Sequence, residues 1–236
     1  MKEFLVVDLG LRSYAEALAF QREAAAARIE RRLTQDLLIL VEHPPVITLG
    51  RSTKAGHLLA TKELLDARGV ELFEVERGGD VTFHGPGQLV GYPIVDLTEH
   101  RQDLHWFLRQ VEEVVIRAVA PFGIVAARNP GKTGVWTRDR KLASIGVHAR
   151  QWVTWHGFAL NVTTDLSYFD LMVPCGIADV TMTSVEREIL AGADGVCWAA
   201  PPGLGAEARA AAVRAFGDVF ERAPLAVHEL DVGVRL

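Results

Sequence analysis

Apolar and polar positions change period several times along the chain, and each change marks an element. Phe4–Asp8 (FLVVD) reads as a short strand. Ser13 stands three positions before Glu16, the spacing of a capping box. A helix is therefore expected to open there and to run through the alanine-rich stretch to about Arg32. Leu37–Glu42 and Val46–Leu49 are apolar runs of strand length. His43-Pro44-Pro45 separates them and cannot be helical, because proline lacks the N–H and pushes the preceding residue into extended backbone. Thr61 is placed to cap a short helix through Arg68. Val70–Glu76 alternates as a strand, and Leu89–Leu97 is apolar enough for a buried one.

From Asp103 to about Ala120 the apolar positions Leu104, Phe107, Leu108, Val111, Val114, Val115 and Ala118 follow helical spacing. Glu112, Glu113 and Arg117 are expected outside, and Pro121 and Gly123 end the helix. The reading then returns to strands: IVAA, GVWT, KLASIGVHAR, WVTW and GFALNV, between Ile124 and Thr163. Thr183 and Glu186 repeat the capping-box pattern before another helix, Gly192–Gly205 reads as loop, and Glu207–Arg222 as a last helix. Strands cluster in runs instead of alternating strictly with helices, with no fixed-period repeat and no separating linker. The expectation is an α/β fold of the α+β type: a single catalytic domain over residues 1–236, with a mixed, largely antiparallel sheet flanked by helices.

Composition narrows the setting. Among 236 residues 49% are apolar, enough for a sizeable core, yet no apolar run approaches the ~18 residues of a membrane span. MKEFLVVDLG is too charged to be a secretory signal. The two cysteines, Cys175 and Cys197, make no disulfide framework, so a cytoplasmic protein is expected. A net charge of −5 gives no reason to expect a nucleic-acid partner. Two basic clusters, Arg28/Arg31/Arg32 and Arg128/Lys132/Arg138/Arg140/Lys141, are either solvated faces or a docking surface for acidic proteins.

One stretch resists the pattern. RGGDVTFHGPGQ, Arg77 to Gln88, puts four glycines, a proline, an arginine and a histidine between two strands, where a tight turn would suffice. Familiar motifs do not explain it. Gly131-Lys132-Thr133 ends like a phosphate-binding loop, but the glycine required five positions upstream is Ala126. Ser144 lies in LASIG, not in a Gly-x-Ser-x-Gly elbow. No dinucleotide fingerprint is present. His43, His84, His148 and His156 lack the spacing of a zinc helix, and no metal site is expected. Cys175 remains, in MVPCGIAD, between a proline and a glycine. It is either an inert buried thiol or a nucleophile carried on a rigid loop. A nucleophile would need a cation or a base beside it. Lys141, at the start of KLASIGVHAR, is either an exposed strand end, a partner of Asp139, or that helper.

EHPPVITLGR, RGGDVTFHGPGQLVGYPIVDL, GVWT, KLASIGVHARQWVTWHGFALNV and VPCGI, in this order from about Glu42 to Arg187, resemble the lipoyl(octanoyl) transferases, of the biotin and lipoate protein ligase fold family. The resemblance implies transfer of an octanoyl group from octanoyl-acyl carrier protein to Cys175. A lysine of a lipoyl domain on a 2-oxoacid dehydrogenase complex or the glycine-cleavage H protein would then accept it. It implies Lys141 as the group that holds the thiolate and moves protons. The substrate-binding residues it implies are Arg77, Gly78, Gly79, Asp80, Val81, Thr82, Phe83 and His84; Ser144, Ile145 and Gly146; and Gly157, Phe158 and Ala159. Asp80 and Thr82 themselves read as structural. No cofactor or nucleotide is implied, because thioester exchange is balanced and aminolysis of a thioester runs downhill. Burying six methylenes and a methyl would contribute on the order of 5 kcal/mol at ~0.8 per CH₂. Phe158 stands where the family commonly carries a smaller aliphatic residue, and its ring is expected to narrow the acyl slot. ATP-dependent ligation and cysteine-dependent transfer between lipoyl domains are the alternatives on the same fold. The triple glycine of lipoate ligases and the Gly-Arg-Gly-Arg type loop of biotin ligases are absent.

Overall fold

A computed structural model describes residues 2–176, 180–192 and 202–234. The chain opens with β1 (Glu3–Leu11) and α1 (Tyr14–Ile29), whose capping box is formed by Ser13 and Glu16. β2 (Asp36–Glu42) and β3 (Val46–Leu49) follow, then α2 (Lys62–Ala67), capped by the Thr61 hydroxyl, and β4 (Glu71–Glu74). β5 (Thr82–His84) lies inside the glycine-rich stretch, which reads as loop in the sequence, and β6 (Gln88–Ile94) comes next. α3 (Leu104–Val119) is capped by the Asp103 carboxylate, which accepts from the His105 and Trp106 N–H groups. β7 (Ala127–Asn129), β8 (Lys132–Thr137), β9 (Arg140–Arg150) and β10 (Val153–Asn161) form an antiparallel run. α4 (Val185–Gly192), α5 (Leu204–Phe220) and β11 (Ala223–Ala226) complete the order.

Eight strands form one mixed sheet in the order β11-β1-β2-β6-β10-β9-β8-β7. Only the β11–β1 and β1–β2 pairings are parallel. Strand alternation divides its side chains between two cores. Leu38, Leu40, Leu160 and Phe158 face α3 and α5, where Phe107, Val111 and Phe216 meet them. Leu37, Ile39, Val90, Tyr92 and Ala159 face the other way, toward Ala17, Phe20 and Ala24 of α1. Each fully buried Leu or Phe contributes about 1.5–3 kcal/mol. A three-stranded sheet, β4-β3-β5, forms a smaller core with Ile47, Val81, Phe83, Phe169 and Met172.

Several expectations are corrected. IVAA is not a strand; β7 starts at Ala127. WVTW and GFALNV are one strand, β10. The cap of α4 is Ser184, whose hydroxyl accepts from the Arg187 N–H at 3.2 Å, not Thr183. α5 starts at Leu204, before the expected Glu207. Glu112 is fully buried, not outside, because Arg109 (2.6 Å), Arg128 (3.1 Å) and the Gly134 N–H (3.2 Å) all reach its carboxylate. The basic clusters are largely internal ion pairs. Arg28 is buried against Asp36 and Glu99, and Arg140 forms two bonds to Glu188. Cys197 and most of the expected 192–205 loop lie outside the described residues. No helix among the described residues is long and apolar enough to cross a membrane.

Candidate active site

The glycine-rich segment folds back over β9. Arg77, almost fully buried, donates to the Thr48 carbonyl and hydroxyl, both at 2.8 Å, and to the Gly78 carbonyl at 3.2 Å. The Gly78 N–H donates to the Val147 carbonyl at 2.9 Å, which ties the segment to β9. Two close approaches demand glycine here. A Cβ on Gly50 would lie 2.4 Å from the Gly79 carbonyl oxygen, and one on Gly146 would lie 2.7 Å from that of Gly78.

This packing hands position on to Cys175. The Asp80 carboxylate accepts from the Val81 N–H (2.7 Å) and meets His57 Nδ1 (2.6 Å); the Val81 carbonyl in turn accepts from the Cys175 N–H at 3.0 Å. Cys175 adopts φ 56°, ψ 21°, a left-handed conformation uncommon outside glycine and concentrated at functional sites. Gly176 packs so closely on Asp80 and His57 that a Cβ would come within 2.3 Å of the carboxylate. Asp80, read as structural, is structural in this specific sense: it holds the turn that carries the thiol.

Lys141 is neither an exposed strand end nor a partner of Asp139. It is 1% exposed, and its Nζ lies 2.9 Å from Cys175 Sγ. Its backbone is clamped by the Thr181 carbonyl (2.8 Å) and the Thr183 N–H (2.9 Å). Its side chain crosses Gly134, where a Cβ would stand 2.8 Å from Cε, and its Nζ lies 5.5 Å from the Trp136 ring centre. Ser144 Oγ is 3.6 Å from Sγ. Burial alone would push the Cys175 thiol up. Lys141, the Ser144 hydroxyl and the Arg77 guanidinium together more than offset it, Lys141 contributing most, and the thiol is held below its ordinary range. Alkylation of Cys175 by iodoacetamide should therefore persist to lower pH than for an ordinary thiol and fall only as pH drops through the lowered pKa. In Lys141→Met the midpoint should move up; an unmoved midpoint would show that the ammonium does not set it.

Around this pair lies a cavity of about 240 Å³. Its walls include Arg77, Gly79, Asp80, Thr82 and His84 of the glycine-rich segment, Ser144, Ile145 and Gly146 of β9, and Gly157, Phe158 and Ala159 of β10. Gly78, Val81 and Phe83 are not in the wall. Val81 and Phe83 face the smaller core, where the Phe83 ring stacks on Tyr168 at 4.5 Å. Phe158 belongs to the cavity wall, and strand alternation also places it among the side chains of the α3/α5 core. The ring packs in the α3/α5 core, across Gly91, where a Cβ would lie 2.3 Å from it. Tyr14, Val90, Tyr92, Lys132 and His156 also line the cavity and were not singled out as binding residues. The only signal for His156 is a polar residue opening the apolar run GFAL. Among the described residues no cluster of three His, Cys, Asp or Glu side chains could hold a metal ion.

The lipoyl protein ligase A/B catalytic domain family matches residues 13–194. The chain belongs to this family. Within it, an octanoyltransferase from Gloeobacter violaceus is 51% identical over 177 residues, covering 75% of this chain and 78% of the relative. An octanoyltransferase from Nostoc sp. is 44% identical over 217 residues, covering 92% and 91%. This family member thus groups with the octanoyltransferases, which are acyltransferases. Among solved structures, lipoate-protein ligase A bound with ATP superposes with a TM-score of 0.72 at 14% identity, covering 98% of this chain and 92% of that one. A putative lipoate protein ligase from T. acidophilum gives 0.70 at 15%, with the same coverages. These likenesses establish the shared fold.

Proposed function

We propose that this chain is a single catalytic domain that takes an octanoyl group from octanoyl-acyl carrier protein as a thioester on Cys175. It then passes the group to a lysine of a lipoyl domain, on 2-oxoacid dehydrogenase complexes or the glycine-cleavage H protein, in the cytoplasm. The observation that carries the reading is the 2.9 Å contact between Lys141 Nζ and a thiol held below its ordinary range, at the wall of a cavity.

In the first half-reaction the Cys175 thiolate attacks the donor carbonyl. A carbon–sulfur bond to Cys175 forms, the bond to the carrier's sulfur breaks, and the departing thiolate takes a proton from the Lys141 ammonium. Lys141 is then neutral. The acceptor lysine arrives as an ammonium, with an ordinary pKa near 10.4, and must lose a proton before it can attack. Lys141 accepts that proton. The amide forms, its second proton passes to solvent, and Cys175 departs as a thiolate beside the recharged Lys141 ammonium.

Two oxyanions must be stabilised along the way. The Cys175 and Gly176 N–H groups already donate to the Val81 and Val173 carbonyls, so the oxyanion donors must be other groups in the cavity wall. Nothing in this sequence of steps consumes ATP. An octanoyl-carrier donor and a lipoyl domain, mixed with the protein without nucleotide, should give a lipoyl domain heavier by one octanoyl group. Acylation from free octanoate that requires ATP and survives Cys175→Ala would support the ligase alternative instead.

A further inference from the structure

The cavity changes character along its length. Beside the thiol, Ser144 of β9 pairs with Ala159 of β10, and Ala159 pairs with Val90 of β6, so small and apolar side chains flank the start of the slot. Two residues farther along β6 stands Tyr92, and three residues back along β10 stands His156. At ~3.3 Å per residue the wall turns polar roughly 7–10 Å from the Ser144 register.

Tyr14 and His84 face this end from α1 and β5, their rings stacked with centres 5.9 Å apart. The Tyr92 hydroxyl is bonded to His43 Nε2 at 2.8 Å. His156 sits at φ 57° in mid-strand, a strained choice for a non-glycine residue, and its N–H donates to Gln21 Oε1 at 3.0 Å. The residue is 1% exposed, and its buried Nε2 has no hydrogen-bond partner among the described residues. Glu76 Oε2, at 3.9 Å, is too far to serve. Gln21 Nε2, equally buried, is also unpartnered. Burial pushes the Tyr14 hydroxyl up to about 12, His43 down to about 4, and His84 and His156 down, so these groups are polar but uncharged at neutral pH.

Buried polar atoms without protein partners are ordinarily satisfied by ordered water, which needs two to four such partners. We propose that Tyr14, His84, Tyr92 and His156 form a polar, water-holding floor that sets the length of the acyl chain, in place of a steric wall. The inference rests on the acyl-transfer reading and adds what selects the acyl group. A chain that ends at the apolar section leaves the floor hydrated. Each further methylene displaces water and leaves donors or acceptors unsatisfied, whereas a shorter chain leaves apolar wall wet. A terminal hydroxyl, by contrast, can replace one of those waters.

An isosteric pair of donors separates the two kinds of ruler. Single-turnover loading of the intact protein would be followed by mass, using carrier thioesters of octanoate, nonanoate and 8-hydroxyoctanoate. Nonanoyl and 8-hydroxyoctanoyl occupy nearly the same space. A polar floor predicts that the hydroxylated chain loads at least about 10-fold faster than nonanoyl, and that Tyr14→Phe, which keeps the ring, narrows the gap. Equal rates for the two, both slower than octanoyl, would show a steric wall and overturn the floor while leaving acyl transfer intact. Absence of loading from octanoyl itself would overturn the transfer reading and the floor together.

Discussion

Lys141→Met should slow both acyl loading of Cys175 and acyl release to the acceptor by roughly 10²–10⁴-fold, the range expected for a positioned acid–base group. Methionine can follow the path of the lysine stem across Gly134 and beside Trp136, so the fold is expected to survive. What is lost is the ammonium 2.9 Å from Sγ. Without it, burial is opposed only by Ser144 and Arg77, and the thiol should shift upward toward the protonated form near neutral pH. Raising the pH should restore part of the loading rate, because thiolate then forms without help. Release should recover less, since neutral amine and thioester still lack a base at the reacting carbon. Rapid-quench measurement of the two half-reactions checks both statements. Wild-type rates in both would remove Lys141 from the chemistry.

Gly134→Ala should be the most damaging change outside the Cys–Lys pair. Gly134 has φ 125°, a conformation that L side chains rarely adopt, and an added Cβ would lie 2.6 Å from the Ala143 carbonyl oxygen and 2.8 Å from Lys141 Cε. The carbonyl belongs to β9 and cannot retreat without disturbing the ladder, so the lysine stem is the part that yields. Backbone strain of this kind costs about 1–3 kcal/mol, and misplacement of a reacting group by ~1 Å costs on the order of 10²-fold in rate. The expected result is a lowered melting temperature together with an approximately 10²-fold loss of transfer. The Cys175 alkylation midpoint should also rise as the ammonium moves away. A variant that is destabilised but keeps the wild-type alkylation midpoint would show that Gly134 serves the strand and not Lys141.

Which parts of this molecule were legible in its sequence follows from how local their causes are. The Ser13–Glu16 box and the Asp103 cap lie within three residues of the groups they satisfy, and both helices begin where the pattern says. β5 could not be read this way. It has three residues amid glycines and exists because β3 pairs with it, Ile47 opposite Phe83. β11 carries a proline and only exposed or half-buried side chains, and it is defined by its parallel pairing with β1. Glu112 looks like a surface position on α3 until Arg109, Arg128 and Gly134 converge on it from three segments.

The site divides along the same line. The family pattern points to Cys175, Lys141 and the glycine segment as a set, but the residue-level reading left Lys141 with three environments, and only tertiary structure distinguishes them. That Phe158 joins the α3/α5 core follows from alternation once Ala159 is known to face α1. The polar floor depends on residues from α1, β5, β6 and β10, which share no sequence window.

The most direct test of the account is the mass of the intact protein after brief mixing with octanoyl-acyl carrier protein and no ATP, with Cys175→Ala as the control. The expected result is a gain of one octanoyl group, removable by hydroxylamine, absent in the variant, and discharged when a lipoyl domain is added. A lipoyl domain that becomes acylated at the wild-type rate by Cys175→Ala, with no adduct on either protein, would contradict it.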